Sequence, residues 1–274
     1  MDYSDVSDLA GALAGYQVNV SFGGAKPQGN HNGSTAPSGL DTMTRSLMQA
    51  SRYHAWMLSQ VEDFVGMNVL EVGAGSGNLT QFLVGRASVT ALDESQAALD
   101  VAARRAGDAR LETVIADIAD SAAVADLAKR GFDTILSSNV LEHIEDDSAA
   151  VANMHAILKP RLGHLLLIVP AHARLFGSMD RAAGHHRRYS RAGLTSLVKR
   201  AGFSIRRAQY VNVVGAIAWY VNGSILRNDD LNAGSVNAQA RLFDRIGVPV
   251  LRVLESVISP PFGQSLVVIG KAER

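Results

Sequence analysis

From residue 69 onward, short apolar runs alternate with amphipathic stretches, and this alternation gives the predicted order of strands and helices. The first apolar run ends at Glu71, and further strands are predicted at 88–92, 111–116, 132–138, 163–169, 203–211 and 265–270. Helices are predicted at 77–85, 95–106, 121–129, 146–158 and 191–201. Strands that alternate with helices favour βαβ units with right-handed crossovers. The pattern therefore predicts an α/β fold, doubly wound around a mostly parallel, seven-stranded sheet.

The N-terminal part of the chain does not follow this alternation. Residues 1–22 have enough apolar positions for a short helix or an edge segment, and residues 23–39 contain five glycines and two prolines, as a flexible linker does. We therefore divide the chain into an N-terminal segment and linker at 1–40, either a lid or a frayed terminus, and one domain at 41–274. A helix is predicted to begin at Asp41, with an apolar stripe that reaches Phe64.

Two insertions, before and after the sixth strand, extend the predicted domain. The first, 171–190, contains the run Gly-His-His-Arg-Arg-Tyr-Ser at 184–190. The second, 212–260, is largely apolar, with helical spacing in its later part. An apolar segment of this length has to be covered, so it either roofs a substrate pocket or forms a homodimer surface. We expect the two insertions to form a substrate cap.

The loop after the first strand is rich in glycine. The segment 69–80 reads VLEVGAGSGNLT, with glycines at 73, 75 and 77. Glycine lets the backbone turn sharply and approach a ligand closely, and the next helix, predicted to begin near Gly77, would offer N–H groups. The spacing differs from that of a dinucleotide-binding loop, whose third glycine would fall on Asn78. The loop therefore predicts a charged cofactor and argues against a nicotinamide-dependent oxidoreductase.

Polar residues stand at the ends of the next three strands. Asp93 ends the second strand, Asp117 ends the third, and Asn139 follows the fourth. Each of them alone is more often a turn or cap residue. In a doubly wound sheet, however, ligands bind beyond the carboxyl ends of the strands, so these side chains are expected to converge on one site.

These features together resemble the class I S-adenosylmethionine-dependent methyltransferases, over about residues 40–211. The resemblance rests on the E-x-G-x-G-x-G loop, on Asp93 and Asp117, and on the Asn-Val-Leu-Glu-His run at 139–143. It implies a role for each of these residues around the cofactor. Glu71 and Gly73 would lie by the methionine amino group, and Gly75 and Gly77 would pass under the cofactor. Asp93 would bind the ribose, Asp117 and Ile118 would frame the adenine, and Asn139 and Val140 would lie near the sulfonium. Ala74, Glu94 and Tyr53 complete the expected cofactor set, and Tyr53 and its neighbour Trp56 either approach the cofactor or pack in the core.

The implied cofactor agrees with the chemistry of these residues. S-adenosylmethionine carries a sulfonium and an ammonium but no phosphate, so a site rich in carboxylates suits it better than it suits a pyrophosphate. Methyl transfer is an in-line displacement, in which the protein mainly aligns the nucleophile with the methyl group and excludes water. The accepting atom can be oxygen, nitrogen or carbon.

Histidines are the main catalytic candidates, because a histidine near its ordinary pKa suits general-base catalysis. His185 and His186 follow the fifth strand, Tyr189 is in the same run, and His143 follows the fourth strand. The neighbouring Arg187 and Arg188 either hold an anionic group of the substrate or, with Tyr189, fix the loop by pairing with acids such as Asp180. None of the eight histidines has H-E-x-x-H or H-x-H spacing, so no metal site is expected.

Composition narrows the range of partners. The chain has 26 basic and 26 acidic residues, so no net charge draws in nucleic acid or an anionic membrane. It has no cysteine and no apolar run long enough to span a bilayer, and we expect a cytoplasmic protein. The prediction is an enzyme that methylates a small or medium, partly hydrophobic molecule, with secondary metabolism as its expected setting. The alternatives are a methyltransferase for a macromolecular or lipid-linked acceptor and a non-catalytic S-adenosylmethionine-binding protein.

Overall fold

A computed structural model describes residues 50–107, 110–177, 180–181, 183–220, 242–257 and 260–274 of the 274. The strands are β1 Asn68–Val72, β2 Ser88–Asp93, β3 Leu111–Ile115, β4 Thr134–Ser138, β5 His164–Pro170, β6 Phe203–Val211 and β7 Ser265–Ala272. The α-helices are α1 Ser51–Ser59, α2 Thr80–Leu83, α3 Gln96–Ala106, α4 Ser121–Leu127, α5 Asp147–Leu158, α6 Arg191–Arg200, α7 Val213–Tyr220 and α8 Val248–Val257. Single 3₁₀ turns lie at Glu62–Phe64, Ala128–Arg130, Leu141–His143, Lys159–Arg161 and Ala173–Leu175, and a π-helical turn at Phe243–Gly247 precedes α8.

The strands form one seven-stranded sheet in the order β3-β2-β1-β4-β5-β7-β6. The pairs from β3 to β5 are parallel, whereas β7 runs antiparallel to both β5 and β6. The direction of strand order reverses between β1 and β4, which are neighbours although two strands separate them in the sequence. This reversal is the switch point at which doubly wound sheets bind ligands. The predicted fold class is confirmed.

Alternate residues of the strands supply two apolar layers. In β1, Leu70 and Val72 pack on the face covered by α4, α5 and α6, and Val69 packs on the face covered by α1, α2 and α8. Successive side chains of a strand point to opposite faces, so a strand buried on both faces is continuously apolar. Helix α5 buries five residues of its inner face: Ala150, Val151, Met154, Ile157 and Leu158.

Local sequence fixes several helix ends. Ser95, Asp146 and Ser190 each accept a backbone N–H at the start of α3, α5 and α6, as N-cap side chains do. Helix α3 ends at Ala106 and is capped by Gly107, which has a φ of +56°, a conformation that favours glycine. These signals explain why these three helices lie within one residue of their predicted bounds.

Two predicted helices differ from the structure. The helix expected to begin at Gly77 begins at Thr80 and has four residues, because the Gly77 N–H closes a turn onto the carbonyl of Ala74. The helix expected to reach Phe64 ends at Ser59, and a 3₁₀ turn follows it. The predicted segment and linker at 1–40, with the start at Asp41, lie outside the described residues.

The second insertion folds back on the domain where it is described. Asp244 Oδ1 accepts the N–H of Tyr53 at the start of α1, at 2.8 Å. The carboxylate of Glu255 in α8 accepts the N–H groups of Asn212 and Val213, at 3.1 and 3.0 Å. The insertion is therefore tied both to α1 and to the end of β6. In the part of the chain that the structure describes, no helix combines the length and the apolar character needed to cross a membrane.

Candidate functional site

The glycine-rich loop is bound through its backbone to the end of β2. The N–H groups of Gly73 and Ala74 donate to the carbonyl of Leu92, at 2.8 and 3.1 Å. The N–H of Gly75 donates to Oδ2 of Asp93 at 2.8 Å. Because β1 and β2 are parallel neighbours, these bonds hold the loop and the Asp93 carboxylate together at the carboxyl edge of the sheet.

The three glycines of the loop have positive φ angles but different surroundings. A Cβ on Gly73 would clash with Val140, and a Cβ on Gly77 would lie 2.8 Å from Cα of Ala102 in α3. A Cβ on Gly75 would meet no atom within 4 Å. Gly73 and Gly77 are thus required by close packing, a reason for Gly77 that the resemblance did not supply. Gly75 alone of the three faces open space, where a ligand can approach the backbone.

Three carboxylates lie at the ends of β2 and β3. Asp93 Oδ1 accepts the N–H of Ser95 at 2.9 Å, and its Oδ2 accepts that of Gly75. Partial burial, followed by the charges of Asp117 and Asp93, raises the pKa of Glu94. Each ionised carboxylate oxygen has two lone pairs, so Asp93 retains acceptor capacity after fixing both loops. Its predicted turn role and its predicted ligand role are compatible.

Glu71 is the buried carboxyl group of the loop. It is 4% exposed, and its Oε2 accepts the hydroxyl of Thr80 at 2.6 Å. Burial raises the pKa of Glu71 to about 7, against the effect of the Thr80 hydrogen bond. A positively charged group beside it would stabilise the ionised form.

Two oxygen atoms near this edge are buried without a hydrogen-bond partner among the described residues. They are Oγ of Ser76 in the loop and Oγ of Ser137 in β4. Buried polar atoms in folded proteins nearly always have partners. A polar ligand at this edge would supply them, and the carboxylates favour one that carries hydroxyls and positive charge.

The ends of β3 and β4 complete the same edge. Asp117 is exposed and accepts the N–H of Ala119, whereas the side chain of Ile118 is buried in the core. Asn139 is exposed, has a φ of +53°, and donates its N–H to the carbonyl of Ile168 in β5. Val140, half-buried, lies against Gly73. The structure thus brings together the residues expected at the ends of all four strands.

Helix α1 lies against the second insertion. The hydroxyl end of Tyr53 is buried beside Ser265 and Asn212, and its ring lies 6.2 Å from that of Phe243. Trp56 is 2% exposed and belongs to the core. Packing therefore explains Trp56, while Tyr53 lies at the junction of α1, β7 and the segment after β6.

The loop of the first insertion is held by buried ion pairs. Asp180, fully buried, accepts Nε of Arg188 at 2.7 Å, and Arg187 pairs with Asp147 at 2.8 Å. The hydroxyl of Tyr189 donates to Asp147 Oδ2 at 2.8 Å, and burial raises the pKa of Tyr189. Arg187, Arg188 and Tyr189 thus fix the loop. The hydroxyl of Tyr189 is engaged inside the protein, and the catalytic role expected for it stays a prediction.

The two adjacent histidines of this loop have different surroundings. His185 is half-buried, and its Nδ1 lies 2.9 Å from Asp180 Oδ1. His186 is exposed, and its backbone N–H donates to the carbonyl of Glu142 at 2.8 Å. The structure therefore separates them, with His185 directed by a buried carboxylate and the His186 side chain exposed.

Glu142, His143 and His185 form one cluster. One ligand atom from each lies within 4.8 Å of the others, and the two imidazole rings stand edge to face at 4.7 Å. Burial and the nearby His185 lower the pKa of His143 to about 4, and burial raises the pKa of Glu142 to about 8. The sequence identifies both histidines as candidates but gives no role to Glu142. Histidine spacing predicts no metal site, whereas the three groups of this cluster are of the types that bind metals.

Comparison with known proteins identifies similar methyltransferases. A family model described as a methyltransferase domain matches residues 47–208. The chain is 34% identical over 102 residues to a ubiquinone biosynthesis O-methyltransferase of Alkalilimnicola ehrlichii. The matched region covers 37% of this chain and 40% of that protein. The chain spans less than half the length of the curated relatives that it matches.

Solved structures share the architecture. A SAM-dependent methyltransferase from Archaeoglobus fulgidus has a TM-score of 0.54 at 11% identity, covering 84% of this chain and 98% of that one. The N-methyltransferase NodS from Bradyrhizobium japonicum, solved with S-adenosyl-L-homocysteine, has a TM-score of 0.51 at 15% identity, covering 87% of this chain and all of that one. At these identities the likeness concerns the fold.

Proposed function

The chain belongs to a family of methyltransferase domains, and from this premise we propose that it transfers a methyl group from S-adenosylmethionine to a small or medium, partly hydrophobic acceptor. The observation that carries the proposal is the 2.8 Å bond from the Gly75 N–H to Asp93, which joins the open part of the glycine loop to the carboxylate end of β2. A cofactor with hydroxyls, an ammonium and a sulfonium fits such an edge.

The proposed cofactor site is the edge formed by the ends of β1 to β4, together with α1. Asp93 has acceptor capacity left for ribose hydroxyls, Glu71 places a buried carboxyl by the methionine amino group, and Gly75 leaves room for the cofactor. The full proposed set is Tyr53, Glu71, Gly73, Ala74, Gly75, Gly77, Asp93, Glu94, Asp117, Ile118, Asn139 and Val140. When bound, S-adenosylmethionine supplies an electrophilic methyl group on its sulfonium.

His185 and His143 are the proposed acceptor-side residues. They follow β5 and β4, two strands whose carboxyl ends meet at the ligand edge. Asp180 orients the His185 ring through Nδ1, so Nε2 is the atom that would take the acceptor's proton or position its nucleophile. The proposal includes oxygen, nitrogen and carbon acceptors, since each requires the same alignment with the methyl group.

A small acceptor is favoured over a macromolecular or lipid-linked one, because two of the four arginines of the first insertion form ion pairs within the protein. Arg187 and Arg188 pair with Asp147 and Asp180. In the second insertion, α8 exposes 67% of Val253 and so keeps an apolar surface. We retain both uses proposed for this surface, a roof over the acceptor and contact with a second copy of the chain.

Transfer of a labelled methyl group tests the proposal. The protein is incubated with methyl-labelled S-adenosylmethionine and either a panel of phenols, amines and carboxylic acids or a cell extract, which is then separated by size and solubility. Label in a small product is expected. Label confined to macromolecules or lipids would favour the alternative acceptor class. Tight S-adenosylhomocysteine binding with no labelled product would instead identify a cofactor-binding protein that is not an enzyme.

A further inference from the structure

We infer that Glu142, His143 and His185 bind a divalent transition-metal ion, a role beyond those proposed above. One nitrogen or carboxylate oxygen from each residue lies within 4.8 Å of the other two. Metal–ligand distances of about 2.0–2.2 Å place two ligands of one ion about 3–4 Å apart. Small side-chain movements, of under about 1 Å, would bring the three atoms to that spacing.

Glu142 supplies an independent observation that points to an ion. Its side chain is fully buried, and neither carboxylate oxygen has a hydrogen-bond partner among the described residues. The backbone N–H of His186 is directed to the main-chain carbonyl of Glu142, not to its carboxylate. Buried carboxylates are normally paired, hydrogen-bonded or bound to metal. An ion between Glu142 and the two imidazoles would satisfy these oxygens.

The surroundings of His185 are those of a metal-binding imidazole. Its Nδ1 lies 2.9 Å from Oδ1 of Asp180, a fully buried carboxylate that also accepts Arg188 Nε and the Gly177 N–H. A metal-ligating histidine commonly donates its other ring N–H to a carboxylate, which fixes the tautomer and the ring orientation. With the proton on Nδ1, the lone pair of His185 is on Nε2.

His143 has a similar arrangement. Its Nδ1 lies 3.3 Å from the carbonyl oxygen of Gly184, so the Nδ1–H tautomer places its lone pair on Nε2 as well. Gly184 directly precedes His185, so the loop that orients one ring also carries the other. The 3₁₀ turn Leu141–His143 brings the adjacent Glu142 to the same cluster.

The ligand types select the class of ion. Two imidazoles and one carboxylate favour Zn²⁺, Fe²⁺ or a similar ion over Mg²⁺ and Ca²⁺, which prefer oxygen ligands. Three protein ligands leave coordination positions for water or for oxygen atoms of another molecule. Use of these positions by the methyl acceptor rests on the proposed function, and would favour an oxygen nucleophile. With the ion bound, His185 Nε2 would hold the ion and would not take the acceptor's proton, and the ion would activate the nucleophile instead. Binding of the ion itself does not depend on that function.

Calorimetry on the full chain tests the inference. The protein is stripped with EDTA and titrated with Zn²⁺, Mn²⁺ and Mg²⁺, and S-adenosylhomocysteine is titrated separately. We expect one equivalent of Zn²⁺ to bind, and to bind more tightly than Mg²⁺. Glu142→Gln, which keeps the side-chain shape, is expected to weaken Zn²⁺ binding at least 100-fold. Asp180→Asn is expected to weaken it about 10- to 100-fold.

His186→Ala is the matched control, because it removes an exposed imidazole from the same loop and is expected to leave Zn²⁺ affinity unchanged. Failure of the wild type to bind any of the ions, or equal Zn²⁺ affinity of Glu142→Gln and wild type, would overturn the inference. If the variants do not fold, the visible spectrum of the wild type with Co²⁺ decides, and absence of protein-bound Co²⁺ bands overturns it. Cofactor binding without ion binding rejects the metal site alone, and ion binding without cofactor binding rejects the proposed function alone.

Discussion

Asp93 is the residue on which the cofactor edge most depends, since its two oxygens hold both the glycine loop and the start of α3. We expect Asp93→Asn to weaken S-adenosylhomocysteine binding by about 1.5–3 kcal/mol, because the amide keeps one acceptor oxygen but loses the charge. Calorimetry measures the change. Asp100→Asn, an exposed position in α3, is the control. Equal affinities of the two variants would reduce Asp93 to a turn residue.

Glu71 gives a pH-dependent prediction. Burial raises its folded-state pKa to about 7 from an ordinary value of 4.5, so the folded protein binds the proton more tightly than the unfolded chain. This stabilising contribution is complete below about pH 4.5 and is lost as pH rises through about 7. The free energy of unfolding, measured in urea at several pH values, should fall by on the order of 3 kcal/mol as pH rises through this range, and Glu71→Gln should abolish that fall. Exposed Glu273→Gln should retain it, and identical pH profiles for both variants would contradict the shift.

His185 and His186 are adjacent but are predicted to respond differently. We expect His185→Ala to lower single-turnover methyl transfer by about 100-fold or more, as loss of an acceptor-activating group does. His186→Ala should remain near the wild type, because its ring is exposed. S-adenosylhomocysteine affinity should be unchanged in both, since other residues hold the cofactor. Near-normal transfer by both variants would leave the histidine loop with a structural role only.

The loop between β1 and α2 allows a matched comparison of two glycines. Gly75 and Gly107 have φ angles of +53° and +56°, and a Cβ on either would meet no atom within 4 Å. Alanine should therefore destabilise both positions alike, by about 1 kcal/mol. Only Gly75→Ala should also weaken S-adenosylhomocysteine binding, by tenfold or more, because its methyl group would enter the proposed cofactor space. Equal affinities of the two variants would place the cofactor elsewhere.

The same loop shows what the sequence could predict and what it could not. Strand positions were predictable because a buried strand leaves a continuous apolar run, and the convergence of strand ends followed from the topology. The start of α2 was not predictable, because the turn closed by Gly77 and Ala74 displaces the start of the helix to Thr80. The spacing of apolar residues does not reveal a turn that is closed by a backbone hydrogen bond.

The histidine loop was less predictable than the strand ends. Its ring directions depend on Asp180, whose burial with Arg188 is a tertiary contact. From the sequence, Asp180 is predicted only as an ion-pair partner that fixes the loop. The sequence does not distinguish the role of His185 from that of His186. Glu142 was missed because an acid after a strand usually lies at the surface, and only the fold shows that both of its oxygens are buried.

The distribution of charge over the whole molecule bears on the choice of ligand. Acidic and basic residues balance at 26 each, so any electrostatic preference for a ligand is local. At the candidate cofactor edge, partial burial and the charges of Asp117 and Asp93 raise the pKa of Glu94. Such a group of acids attracts a cationic cofactor and repels a pyrophosphate.

This charge pattern predicts which cofactor stabilises the folded protein. S-adenosylhomocysteine carries the ribose hydroxyls and the ammonium, so at a hundredfold excess over its dissociation constant it should raise the free energy of unfolding by about 2.7 kcal/mol. NAD should give no increase, because its two phosphates would face the carboxylates. Thermal unfolding with each ligand measures the difference. At the same ligand concentration, the stabilisation of Gly75→Ala should fall to about 1.4 kcal/mol or less, and Gly107→Ala should keep the full shift. A shift in melting temperature with NAD, and none with S-adenosylhomocysteine, would contradict the assignment of the cofactor and the reading of these acids as a site for a cation.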